Sequence, residues 1–256
     1  MYIQYKLNLK KMSGMGPEII KIKDILPGKI VIDNPIIRNI EIQFQENQDI
    51  STELLITFQF NSEKITLEDT KKCTDSLLNN IINLLVYKLH ISISEPQIYA
   101  YNTTEARVVA SGSITIYKPE HYQLPELDYD WIGKNINSSD LSEKLKTSVH
   151  FQMYKSILSV ENIISRFLLM YSVLYDLKGE QYNVDRYIKS KEPTTLMIPT
   201  TKTYGKKNPE TVYTWWRNQS LHMQDDTLIN EIIKNYSQLI DGLQQIVFQA
   251  IIESLN

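Results

Sequence analysis

The chain has 256 residues, with 27 Lys and Arg against 30 Asp and Glu, for a net charge of −3. That length fills one large core or two modest ones, and the near balance of charge excludes a global basic field of the kind that gathers nucleic acid non-specifically. A lone Cys excludes an internal disulfide framework, and neither a charged-then-apolar leader nor a bilayer-length apolar run is expected, so the expected setting is cytoplasmic with no membrane partner.

The first half reads as strands around one helix. Lys29–Asp33 is short and β-rich. From Ile37 to Gln45 the chain alternates, with Ile40, Ile42 and Phe44 against Asn39, Glu41 and Gln43. Leu54, Ile56, Phe58 and Phe60 put a second strand's apolar residues on one face. Thr66 and Asp69 stand at capping-box spacing ahead of a helix whose Cys73, Leu77, Ile81, Leu84 and Leu85 recur at helical intervals. Cys73 on that face reads as a small buried hydrophobe. Ile91–Tyr101 and Arg107–Tyr117 read as further strands, which gives an α+β domain over residues 1–130. Tyr122–Asp128, with Pro125, reads as an extended linker.

After the linker the signal is helical. Ser139-Asp140 caps a helix expected to run to about Leu158. The next helix carries Ile163, Ile164, Phe167, Leu168, Tyr171, Leu174 and Tyr175, a wide apolar face. Lys178–Lys207 reads as irregular, with seven basic residues (Lys178, Arg186, Lys189, Lys191, Lys202, Lys206, Lys207) against three acidic ones (Glu180, Asp185, Glu192). Asn208-Pro209-Glu210 then reads as a helix start. That helix delivers Arg217 near its end, and Asp225-Asp226-Thr227 opens a last, long helix.

Between these two helices lies Trp215-Trp216-Arg217-Asn218-Gln219-Ser220-Leu221-His222. Arg217 supplies a permanent cation whose planar fork fits phosphate oxygens. His222 supplies a group that takes or gives a proton near neutral pH. Asn218 both donates and accepts, so it can hold a phosphate, a ribose hydroxyl or the imidazole. The same spacing also fits a solvated helix-end Arg and a His that caps carbonyls. On a continuous helix, residues five apart point about 140° from each other. Arg217 and His222 therefore converge only if the helix stops between them or if two copies of the motif face each other.

Arg217 to His222 match the Arg, four-to-six residues, His signature of the HEPN superfamily, with its polar residue after the Arg. Ile164–Tyr171 and Glu210-Thr211-Val212-Tyr213 are similar to the Apea-like and MauJ-like HEPN branch, and the resemblance spans roughly residues 139–256. It implies an all-α HEPN-like bundle and a metal-independent endoribonuclease. The enzyme would work as a homodimer through the C-terminal half, often in toxin or antiviral defence roles with a regulatory or antitoxin protein partner. The family also holds members that have lost catalysis and only bind nucleotide, RNA or a partner. Trp215-Trp216 ahead of the Arg and Met223 after the His depart from the family pattern.

The resulting expectation places Arg217, Asn218 and His222 in RNA cleavage. Attack by the RNA's own 2′-hydroxyl would need no cofactor and no metal. Lys202, Lys206 and Lys207 form either an ordinary solvated loop or a track for the RNA backbone. Trp215 and Trp216 read as packing residues more readily than as base-stacking platforms. His90, His121 and His150 show no zinc-like spacing, and Gly14 and Gly16 make no phosphate loop. The N-terminal domain is expected to sense a trigger or bind a restraining partner.

Overall fold

Alternation along the first residues builds the centre of the fold. In the computed structural model, which describes residues 1–13, 16–21, 28–46, 52–108, 121–123, 127–137, 139–199, 209–220 and 226–255, β1 runs over Tyr2–Ser13. It buries Ile3, Tyr5, Leu7 and Leu9 and leaves polar side chains between them. β1 is not among the strands expected from sequence, although its period is as regular as theirs. It pairs antiparallel with β5 (Thr52–Phe60). Beyond β5 lie β4 (Ile37–Glu46) and β3 (Gly28–Ile30), both antiparallel.

The register stacks apolar rows across three strands. Ile3 faces Phe58, which faces Ile40; Tyr5, Ile56 and Ile42 form the next row, and Leu7, Leu54 and Phe44 the third. All are buried, and each such side chain contributes about 1.5–3 kcal/mol on leaving water.

The segment expected as one strand from Ile91 to Tyr101 is two, β6 (Ser92–Ile93) and β7 (Gln97–Asn102), both paired with β1. Pro96, which lacks an N–H for the ladder, falls in the break. β8 (Arg107–Val108) pairs with β7, and the rest of the strand expected up to Tyr117 lies outside the described residues. β2 (Gly16–Lys21) follows β1 in the same sheet, and β9 (His121–Gln123) pairs with it in parallel.

α1 (Leu67–Leu89) starts as its sequence dictates: Thr66 accepts from the Asp69 N–H at 3.1 Å and donates to the Asp69 carboxylate at 2.7 Å. It lies on the apolar face of the sheet, where the Tyr5 hydroxyl meets Thr74 Oγ1 at 2.8 Å. α2 (Tyr129–Asn137) stacks Trp131 on Tyr87 of α1. Its Tyr129 ring occupies the space that a side chain at Gly28 would need, so only Gly lets α2 approach β3 this closely.

The chain divides into two compact units: Met1–Lys11 with Pro17–Thr147, and Met12–Gly16 with Ser148–Asn256. The boundary expected between residues 130 and 139 therefore lies after Thr147. The expected linker takes in the last two residues of β9 and a buried Leu127. The helix expected from Ser139 to Leu158 is two, α3 (Ser139–Thr147) and α4 (Val149–Ile157). They are separated at Ser148, whose hydroxyl caps α4 by accepting from the Phe151 N–H.

In the second unit α5 (Ile163–Lys178) packs on α8 (Asp226–Leu255). Phe167 and Tyr236 stack between them with ring centroids 3.8 Å apart. The stretch expected to be irregular contains α6 (Gln181–Lys191), which turns Val184 and Ile188 inward. The helix start expected at Asn208-Pro209-Glu210 is displaced. Glu210–Thr211 forms a short strand, β11, paired with β10 (Met197–Ile198), and α7 runs over Val212–Ser220. Among the described residues no helix is long and apolar enough to cross a membrane.

Candidate functional site

α7 is short, and its two ends are held by different chemistry. At its start Thr211 Oγ1 accepts from the Thr214 N–H at 3.4 Å, which gives the helix its cap. At its last turn the Ser220 hydroxyl donates to the Arg217 carbonyl at 2.7 Å, and the Tyr236 hydroxyl donates to the Trp216 carbonyl at 3.2 Å. The first of these bonds satisfies one of the four carbonyls that a helix end leaves open, and the second ties the helix to α8. Burial pushes the Tyr236 hydroxyl up to about 12, against the lowering pull of Ser220 and the Arg217 charge.

Beneath α7 lies a buried acid on α6. Asp185 Oδ1 accepts from the Thr211 N–H at 2.9 Å, from Thr211 Oγ1 at 2.7 Å and from Thr214 Oγ1 at 2.6 Å. Thr214 has one proton and spends it on Asp185, so at the 2.8 Å contact with Thr214 Oγ1 it is the Tyr171 hydroxyl that donates. Burial raises the Asp185 carboxyl above the usual carboxylate range; the three hydrogen bonds pull it down and the nearby Glu210 charge adds to the rise. The Tyr171 hydroxyl is also pushed up, chiefly by burial.

Above this layer runs a second chain of bonds that reaches the surface. Glu210 Oε1 accepts from Gln181 Nε2 at 2.8 Å, and Glu210 Oε2 accepts from Asn218 Nδ2 at 3.1 Å. Asn218 Oδ1 in turn accepts from Arg217 Nη1 at 3.0 Å. The Arg217 guanidinium sits over the Tyr171 ring, 5.5 Å from its centroid. Glu210 is buried, whereas Arg217 and Asn218 are half-buried. The result is a cation at the protein surface, steered by an amide that is itself anchored by a carboxylate.

The structure thus brings together two of the residues singled out from sequence, Arg217 and Asn218. His222 and the lysines at 202, 206 and 207 lie outside the described residues. Trp216 is buried and Trp215 half-buried, in edge contact at 4.6 Å, as packing residues would be. Sequence reasoning missed Asp185, Thr211, Thr214 and Gln181 as members of the cluster. A signal for Asp185 exists: on a helix it falls beside Val184 and three residues before Ile188, which places an acid on an inward face. His150 pairs with Asp176 at 2.7 Å between α4 and α5. Among the described residues no group of three or more His, Cys, Asp or Glu side chains gathers to hold a metal ion.

No protein-family model, no curated protein and no solved structure matches the chain.

Proposed function

We propose that the helical unit is a HEPN-like, metal-independent endoribonuclease. In this reading Arg217 stabilises the charge that builds on the phosphorane. His222 deprotonates the ribose 2′-hydroxyl or protonates the leaving 5′-oxygen. Asn218 orients the phosphate or the imidazole, and Lys202, Lys206 and Lys207 track the backbone. The 2′-oxygen forms its bond to phosphorus as the bond to the 5′-oxygen breaks, leaving a 2′,3′-cyclic phosphate and a 5′-hydroxyl. The observation that carries the reading is the Arg217–Asn218–Glu210 chain: a half-buried cation steered by an amide that is itself anchored by a carboxylate, five residues before the His of the Arg-to-His motif. A homodimer through the C-terminal half would bring the two motifs to one cleft. A cytoplasmic toxin or defence role, with a regulatory or antitoxin partner, follows from the resemblance.

The second reading is a HEPN scaffold that binds nucleotide, RNA or a partner without cutting. One observation favours it: the Glu210 carboxylate lies one amide away from Arg217 and places a negative charge near any incoming phosphate. Incubation of end-labelled RNA with the full chain, in excess EDTA, separates the two. Cleavage that disappears in both Arg217→Ala and His222→Ala supports the nuclease. Binding without cleavage in the parent supports the scaffold.

A further inference from the structure

The face of the N-terminal sheet opposite α1 is polar where many sheet faces are merely solvated. Tyr2, Gln4, Glu41, Gln43, Thr57 and Gln59 line a trough of about 470 Å³, with Lys29 and Gly28 at one side. The strand register fixes this set: Gln4, Thr57 and Glu41 form one row, and Tyr2, Gln59 and Asn39 the next. The rows are already ordered by hydrogen bonds. Gln4 Nε2 donates to Thr57 Oγ1 at 2.8 Å, Gln59 Nε2 donates to Glu41 Oε1 at 2.8 Å, and Asn39 Nδ2 donates to Gln59 Oε1 at 3.4 Å.

Each of these groups has capacity beyond those bonds, since a primary amide carries two N–H donors and a carbonyl acceptor, and a hydroxyl both donates and accepts. Asn39 stands behind this surface, 1% exposed, and steadies the Gln59 amide through its Nδ2.

The chemistry of the lining selects a class of ligand. Lys29 and Glu41 face each other across β3 and β4, so their charges cancel and an anion or cation would lose hydration without a net opposite charge to replace it. A bare nucleobase favours enclosure between apolar planes, and among the described residues Tyr2 is the one ring in the lining. What the trough does offer is adjacent donors and acceptors spread over a flat floor. Vicinal hydroxyls on a ring need that arrangement, because each one donates and accepts at once. We propose that this trough binds a neutral ring bearing vicinal hydroxyls, either a free saccharide or the ribose of a nucleoside. The proposal does not rest on the nuclease reading.

The test is ligand-observed saturation-transfer NMR and calorimetry on the full chain, with maltose, uridine and 2′-deoxyuridine as probes. Binding of maltose or uridine at millimolar or lower concentration is expected. Binding of 2′-deoxyuridine should be weaker than uridine by about tenfold or more, because the site's polar groups would lose a partner. Maltose alone would identify a saccharide site, and uridine alone a nucleoside site. Glu41→Ala should remove the signal. Gln43→Ala, at an exposed position that cannot threaten the fold, should weaken it with unchanged thermal melting. No signal from either maltose or uridine, or binding that survives both substitutions, overturns the proposal.

Discussion

Asn218 owes its orientation to the chemistry of its neighbours. Arg217 can only donate and the Glu210 carboxylate accepts, so the reversed amide would set N–H against N–H on one side and oxygen against oxygen on the other. On the proposed reaction, Arg217→Ala and His222→Ala should each slow RNA cleavage by about a hundredfold or more, measured as single-turnover rates beside unchanged circular dichroism. Either variant cutting at the parent rate would remove that residue from the site. Asp185 belongs to stability instead. Asp185→Ala leaves the Thr211 N–H and two buried hydroxyls without their acceptor, a loss of about 3 kcal/mol in chemical denaturation. Because burial raises the Asp185 carboxyl, its ionisation favours the unfolded chain. Its contribution is therefore fullest below the unfolded carboxylate range and falls as pH rises from about 4 through the raised value. The gap between parent and variant should be widest at the acid end and narrow toward neutrality; a gap that widens instead would contradict this assignment. At this scale the closeness of Arg217 and Asn218 was legible because the two are neighbours in one short run. Asp185 was not, because its partners come from β11 and α7, more than twenty residues away.

Elements were legible where the period was long and the cap local. α1 follows from Thr66 and Asp69, and α5 from its dense apolar stripe. α6 has two fully buried aliphatic positions, Val184 and Ile188, amid charged and polar residues, too thin a stripe to stand out against the loop-like lysines around it. The helix expected through Ser148 breaks there because the serine hydroxyl finds the Phe151 N–H, a local bond that competes with continuation. β11 replaces the expected first turn of α7 because Glu210 and Thr211 are drawn to Gln181 and Asp185. Gly242 gives this scale its prediction. In a helix interior, Gly to Ala normally gains about 1 kcal/mol. Here a Cβ on α8 would collide with the Tyr213 hydroxyl of α7, and such overpacking costs about 1–3 kcal/mol. Gly242→Ala should therefore lower the melting temperature rather than raise it. Adding Tyr213→Phe, which removes the colliding oxygen, should recover part of the loss. A Gly242→Ala variant that melts above the parent would show that the two helices do not meet this way.

For the molecule as a whole, the sequence carries the order of its parts, a sheet with one long helix followed by a mainly helical region, because a period of two gives way to a period of 3.6. It misplaces the boundary because α2 and α3 are amphipathic helices like those beyond, and only their grouping with the sheet assigns them to the first unit. The proposed assembly and substrate are tested at this scale. Arg217 and His222 on one continuous helix would diverge by about 140°, but α7 is assigned only as far as Ser220, so the proposed shared cleft of two copies rests on the resemblance and not on helix geometry. Full activity from a species that sediments as a monomer would count against the shared cleft. The substrate prediction follows from the nucleophile. If the attacking oxygen is the RNA's own 2′-hydroxyl, a substrate with a single 2′-deoxy sugar just 5′ of the cut should survive while its neighbours are cleaved. Cleavage should persist in excess EDTA. The net charge of −3 leaves binding to a local basic patch, so affinity should fall as salt rises, with a slope that shrinks when Lys202, Lys206 and Lys207 are changed to Ala. The deoxy substrate should still bind with parent affinity, because its phosphates are intact. Cutting at the deoxy position, or a strict requirement for added magnesium, would mean that the nucleophile comes from elsewhere and that the Arg217-to-His222 segment does not work as proposed.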